Sequence, residues 1–305
     1  MFLKPRKAST DPRLRSLLQK AVRRGYVPIV ERVVARLDAI GDTTWLRSRA
    51  VVITCEECWP LAGSLSVDRH GGSKLEILTS VAKSAKQKDA AGLGALAHAY
   101  REGDTSMLEI VPDQRALKIV AEALVRPNDF FGWALAESPS QRSRDIIRSA
   151  QKYLSVATWQ WDKACILASA FLSASAQIPS IDVAVAPELA ADFPYWAALD
   201  KHTDQGKAAL REVTKPLGTT YRQLIWVSFY CESAEVNELL PSPWFEAERA
   251  WRFKRAGLSL ESARDLWIRA RPLVQERLEE EARALKHLVQ SPVPAGSVPL
   301  QDSFL

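Results

Sequence analysis

The chain has 305 residues, 47% apolar and 25% charged, which excludes a disordered polymer and allows a large core in one or two compact units. Its net charge of +5 is unevenly spread, because residues 1–50 carry twelve Lys/Arg against Asp11, Glu31, Asp38 and Asp42, so an anionic partner would meet the N-terminal field first. No run of about 18 apolar residues marks a membrane span, "MFLKPRKASTDPRLR" lacks the apolar core of a secretory signal, and four cysteines are too sparse for a disulfide framework. A cytoplasmic protein without membrane contact is expected.

Helical periodicity dominates from the start. Leu14, Leu17, Leu18, Ala21 and Val22 form one stripe of a 3.6-residue helix, with Thr10 or Asp11 as cap, Pro12 in the first turn and Gly25 at the exit. A second helix from near Pro28 presents Val30, Val33, Val34 and Leu37, and "GDTT" then recaps the chain. Residues 44–58 are apolar almost all round, the pattern of a central buried helix. Further helices are predicted near 73–87, 89–101, 113–126, 140–156 and 158–176, then 187–200, 203–214, 219–236, 243–256 and 259–289. "IDVAVAP" (181–187) is the best strand candidate but has no partner in the sequence. The predicted fold is an all-α multi-helix bundle. "AQIPSIDVAVAPELAADFP" (176–194) suggests a boundary, giving a helical domain 1–180, a second 181–290, and a Pro/Ser/Gly-rich flexible tail 291–305.

The chemistry centres on "VVITCEECWP" (51–60). As an acidic strand end of a nucleotide hydrolase it would need G-x-x-x-x-G-K-[ST], and Gly71-Gly72-Ser73-Lys74 lacks that spacing. As a metal pair, Cys55 and Cys58 lack a second CxxC or a His pair; His70, His98, His202 and His287 are scattered. Adjacent Glu56 and Glu57 point about 100° apart on a helix and do not form an acid pair for one substrate. A helix end with small core cysteines is the remaining reading. No metal, cofactor or assembled catalytic constellation is therefore assigned.

The segment "LLQKAVRRGYVPIVERVVARLDAIGDTTWLRSRAVVITCEECWPLAG" (17–63) resembles the oligomerisation region, or collar, of the replication-associated recombination protein A family, clamp-loader-like AAA+ ATPases. The resemblance runs through Leu18 to Arg23, Ala35-Arg36, Gly41-Asp42, the arginines Arg47 and Arg49, and the acidic close at Glu56-Glu57. It implies a clamp-loader-like helical collar over 11–63, with Arg47, Arg49, Glu56 and Glu57 facing copies of itself or a separate ATPase subunit. The family's ATPase module has no counterpart in these residues. Its paired arginines and the Asp of its acidic close are also altered.

Other groups fit that expectation. Arg13, Arg15, Lys20, Arg23 and Arg24 lie opposite the leucine stripe, preceded by Lys4, Arg6 and Lys7; this basic face suits sequence-independent phosphate contact with DNA. A solvated face, with Arg23 and Arg24 complementing the helix C-terminus, is the plain alternative. Most of the ten tryptophans should be core anchors. Gln301, Phe304 and Leu305 resemble a sliding-clamp docking peptide on a flexible tether. The resulting expectation is a non-catalytic accessory protein of DNA replication or recombination. The alternative is an enzyme of unknown class with its site near Asp200 and His202, where "LDKHTDQGK" breaks the helical pattern.

Overall fold

The computed structural model describes residues 11–65, 73–188 and 193–291, and the fold is all-α. Lys4, Arg6, Lys7, Gln301, Phe304 and Leu305 lie outside the described residues. Helix α1 spans Pro12–Arg24: Asp11 accepts from the Arg13 amide at 2.9 Å, and Gly25 leaves in the left-handed conformation at φ 79°. Helices α2 (Val27–Ala39) and α3 (Thr43–Cys58) follow, and Trp59–Leu65 continues α3 as a 3-10 segment. The stretch "CEECWP" straddles a helix terminus, since α3 ends at Cys58.

Next come α4 (Lys74–Lys83), opened by a Ser73/Glu76 capping box, then α5 (Asp89–Arg101), α6 (Gln114–Ala123), α7 (Pro127–Glu137), α8 (Gln141–Tyr153) and α9 (Gln160–Ser175). The rest is α10 (Asp204–Glu212), α11 (Thr214–Leu217), α12 (Tyr221–Ser228) with a π-turn at Phe229–Ser233, α13 (Pro243–Arg255) and the long α14 (Leu260–Gln290). Helix α7 has no counterpart among the sequence expectations, because its apolar residues follow no clean 3.6-residue stripe. The helix expected at 187–200 is reduced, among its described residues, to a 3-10 turn at Tyr195–Ala197.

Three apolar clusters hold the helices. One gathers α5 to α9 around Leu93, Phe131, Ile147 and Ile166; a second gathers α1, α2 and α4; a third gathers α10, α12 and α14. Helix α3 separates the first two. Val51, Val52 and Cys55 enter one cluster while Ala50, Ile53 and Cys58 enter the other, which is why its sequence is apolar on every side. Packing does not stop near residue 180: Trp244 and Trp251 complete the first cluster, and Trp196, Leu285 and Val289 the second. The α5–α13 crossing is close, since a Cβ on Gly92 would lie 2.3 Å from the Trp244 backbone.

The expected helix 73–87 stops at Lys83, and residues 84–87 run extended through the interior. They are held from three directions, by Ala85 N to Asp182 O (3.0 Å), Lys86 N to Glu238 O (2.8 Å) and Gln87 N to Glu57 O (2.9 Å). "IDVAVAP" finds its partner here, as an isolated bridge between Val183 and Ser84 and not a strand of a sheet. Lys86 is fully buried, its ammonium donating to Ala82 O, Ser84 O and Asn237 Oδ1. Two backbone oxygens and one side-chain amide oxygen thus replace the water this cation gave up.

Candidate ligand pocket

Helices α1, α3 and α13, the π-turn after α12 and the 200–202 turn enclose a cavity of about 480 Å³. Its floor is an ion-paired hub. Glu57, 1% exposed, accepts from Arg23 Nε at 2.8 Å and from Lys88 Nζ at 2.5 Å. Burial alone would raise the Glu57 pKa, but the two cations outweigh it and hold the carboxyl at about 2. Arg23 also donates to Ser233 O at 2.6 Å, so the hub joins α1 and α3 to the segment after α12.

Beside the hub, Arg49 bridges two acids, Asp162 at 2.9 Å and Glu56 at 3.0 Å, and donates to Gln19 at 3.1 Å. Burial pushes the Glu56 carboxyl up, against the pull of Arg49. Lys20 Nζ donates to three carbonyls, those of Trp196, Ala197 and Leu199, at 2.7 to 3.0 Å. Its burial brings the ammonium pKa down to about 7, with Asp200 resisting. These cations are spent on protein acceptors.

The opposite wall differs. Lys201 Nζ sits 4.0 Å from the Trp226 ring centroid and 4.5 Å from that of Phe229, and donates no hydrogen bond to a described residue. The Arg252 guanidinium lies 4.4 Å from the same Trp226 centroid and 5.0 Å from that of Trp161; its ion pair with Glu248 is long at 3.5 Å. Burial first, and repulsion from Arg252 second, bring Lys201 down to about 8. Burial pushes the Glu248 carboxyl up. Two cations therefore face the cavity with ring faces as their main company.

The structure brings together residues that the sequence put in separate roles. Arg49, Glu56 and Glu57, expected at an oligomer interface, turn into the cavity and are joined there by Lys20 and Arg23 of the basic face and by Asp200 and His202 of the alternative site. Arg47, the fourth interface residue, is partly buried in α3 and is not among the cavity's lining groups. As for DNA contact, α1 does not present a free basic face. Lys20 and Arg23 are buried, Arg13 pairs with Asp11 and Glu281, Arg15 with Asp42, and Arg24 with Glu232 and Glu235. Groups of the C-terminal half meet three of them: Lys20 at Trp196, Ala197 and Leu199, Arg23 at Ser233, and Arg24 at Glu232.

Lys88, Trp226, Glu248 and Arg252 were not anticipated as site residues, whereas Lys201 belongs to the charged break with Asp200, His202 and Lys207. Glu248 and Arg252 alone carry a local signal: "WFEAERAWRFKR" (244–255) intersperses charges with aromatics, a pattern compatible with a surface helix as well. Cys55 and Cys58 are buried thiols pushed up to about 12 by burial, and no group of three His, Cys, Asp or Glu able to hold a metal occurs among the described residues. No described helix is long and apolar enough to cross a membrane. No family model, curated protein or solved structure matches the chain significantly, so the site has to be read from its own geometry.

Proposed function

We propose that this protein works through the cavity as a small-ligand binding protein, with the collar-like helices α1 and α3 supplying the floor and α12 and α13 the opposite wall. The observation that carries this reading is the inward turn of the charged residues from both halves of the chain around 480 Å³ of space. That size falls within the roughly 300–1,000 Å³ that small-molecule sites span. Burying so many ionisable groups costs several kcal/mol per unpaired ion, a cost that a purely structural helix junction avoids with apolar packing. The test is a small-molecule library screened by thermal shift against the protein and Ala91→Phe, which places a ring in the cavity. Ligands should raise the midpoint of the parent protein only. The reading fails when no compound stabilises it, or when the same compounds stabilise both forms equally.

A second reading is favoured by one observation: α1, α2 and α3 break at Gly25 and Gly41-Asp42 and pack in a common cluster, as the collar resemblance requires. On this reading the chain is a clamp-loader-like accessory protein of DNA replication or recombination, associating with itself or a separate AAA+ ATPase, with the 301–305 peptide reaching a sliding clamp. Light scattering with and without such an ATPase tests it. Assembly that Arg47→Glu weakens supports it, and a strict monomer that captures no ATPase overturns it.

A further inference from the structure

We propose that the cavity binds a small organic anion, a phosphate or carboxylate carried on a planar apolar body, with Lys201 and Arg252 as the anion's ligands. This rests on the cavity being a ligand site and names the chemistry of its ligand.

The argument starts from which charges are already used. Glu57 satisfies Arg23 and Lys88, Arg49 satisfies Glu56 and Asp162, and Lys20 is capped by three carbonyls. Lys201 and Arg252 are left without a short carboxylate contact, yet both lie within 4.4 Å of one indole centroid. A structural cation–π contact needs one cation on that ring. Two like charges there repel, and an anion bound in the cavity they both line offsets the repulsion while gaining charge-assisted hydrogen bonds of about 2.7–2.9 Å. Glu248 fills that role only in part: its contact to Arg252 is long, at 3.5 Å, and it makes no hydrogen bond to Lys201.

The rest of the cavity sets the body of the ligand. An inorganic ion would leave most of the 480 Å³ empty, whereas Trp161, Phe229 and Phe245 line it with apolar rings. Flat rings select a flat partner by offset stacking, worth about 0.5–1.5 kcal/mol per pair. A nucleoside monophosphate and an aryl carboxylate share this layout, head and plate.

Isothermal titration calorimetry of the full chain decides the matter, with adenosine monophosphate, phenyl phosphate and benzoate as probes and adenosine, phenol and benzyl alcohol as their neutral counterparts. At least one anion should bind, its neutral counterpart about tenfold more weakly or less. Lys201→Met should lose roughly the same factor and Lys201→Arg should recover most of it, while Arg252→Met, checked for folding by circular dichroism, should lose binding likewise. Equal binding of the neutral counterparts, unchanged affinity in Lys201→Met, or no binding of any of the three anions at millimolar concentration overturns the proposal. Library hits that are neutral or cationic, and that Ala91→Phe abolishes, would leave the cavity a ligand site while removing the anion from it.

Discussion

The two walls of the cavity handle buried charge in opposite ways. On the α1/α3 side every cation has a short oxygen partner, with Glu57 shared between Arg23 and Lys88 and Arg49 shared between Glu56 and Asp162. On the α12/α13 side Lys201 and Arg252 rest on aromatic faces. Closed networks lose heavily when one member is removed, because the remaining charges stay buried without compensation. Open cations lose little, because the protein never completed their bonds. Stability therefore belongs to the first wall and binding to the second, and substitutions on each side can break that division.

The largest effect is expected at Glu57. Glu57→Gln leaves Arg23 and Lys88 buried beside a neutral amide, a loss of about 3–5 kcal/mol by the behaviour of broken buried pairs, read from denaturant midpoints. The pH dependence follows from the same group. Its folded pKa of about 2 lies below the ordinary 4.5, so its contribution is full above about pH 5 and is lost as pH falls towards 2. Glu57→Gln should flatten the acid limb of the stability profile. An acid limb identical to that of the parent protein would show that Glu57 does not anchor the first wall.

A smaller loss is expected where the walls are held together. Gly92→Ala would place a methyl 2.3 Å from the Trp244 backbone, forcing α13 away from α5 at about 1–3 kcal/mol. Because α13 carries Glu248 and Arg252, the shift should weaken ligand binding as well as stability. Thermal midpoints and calorimetry on the same samples check both; a neutral substitution would mean that α5 and α13 part without cost. Cys55→Ala with Cys58→Ala comes next. Each thiol is core packing in a different cluster, so the pair should cost about 1–2 kcal/mol in total and bind no zinc. Stoichiometric metal in the parent chain, lost in the double variant, would reverse that reading.

How far these walls were visible in the sequence depends on the kind of signal. The stripes of α1 and α2, the caps at Asp11 and Gly25, and the all-round apolarity of α3 are local patterns, and they placed those helices correctly. The pocket is a long-range object. Lys20 reads as one more cation on a basic face until the turn at 195–199 brings three carbonyls to it, and nothing in "SAKQK" announces that Lys86 and Lys88 are buried. Asp200 and His202 stood out because they interrupt a helix. Lys201 stood out with them, but not its role, since its partners Trp226 and Arg252 lie on later helices.

The smallest expected effect on stability, and the sharpest test of the comparison, is Lys201→Met. Methionine keeps the unbranched stem that lies along Trp226 and Phe229 and deletes the charge, so packing changes little. Two terms oppose each other: loss of the cation–π contact costs about 0.5–2 kcal/mol, while removal of a desolvated cation repelled by Arg252 acts in the stabilising direction. The net change at pH 7 should lie within about 1 kcal/mol of zero. The groups facing this amine are Arg252 and Glu248 of α13, Arg23 of α1, and the neighbouring Asp200. In that setting the folded pKa of about 8 lies below the ordinary 10.5, so the unfolded chain binds more protons between those values, and the parent protein should gain stability as pH rises from about 8 to 10. In Lys201→Met that gain disappears. Chemical denaturation at pH 7 and pH 9.5 measures it. A loss in Lys201→Met as large as that of Glu57→Gln would mean that Lys201 belongs to a closed network after all, and the division between a stabilising wall and a binding wall would fall.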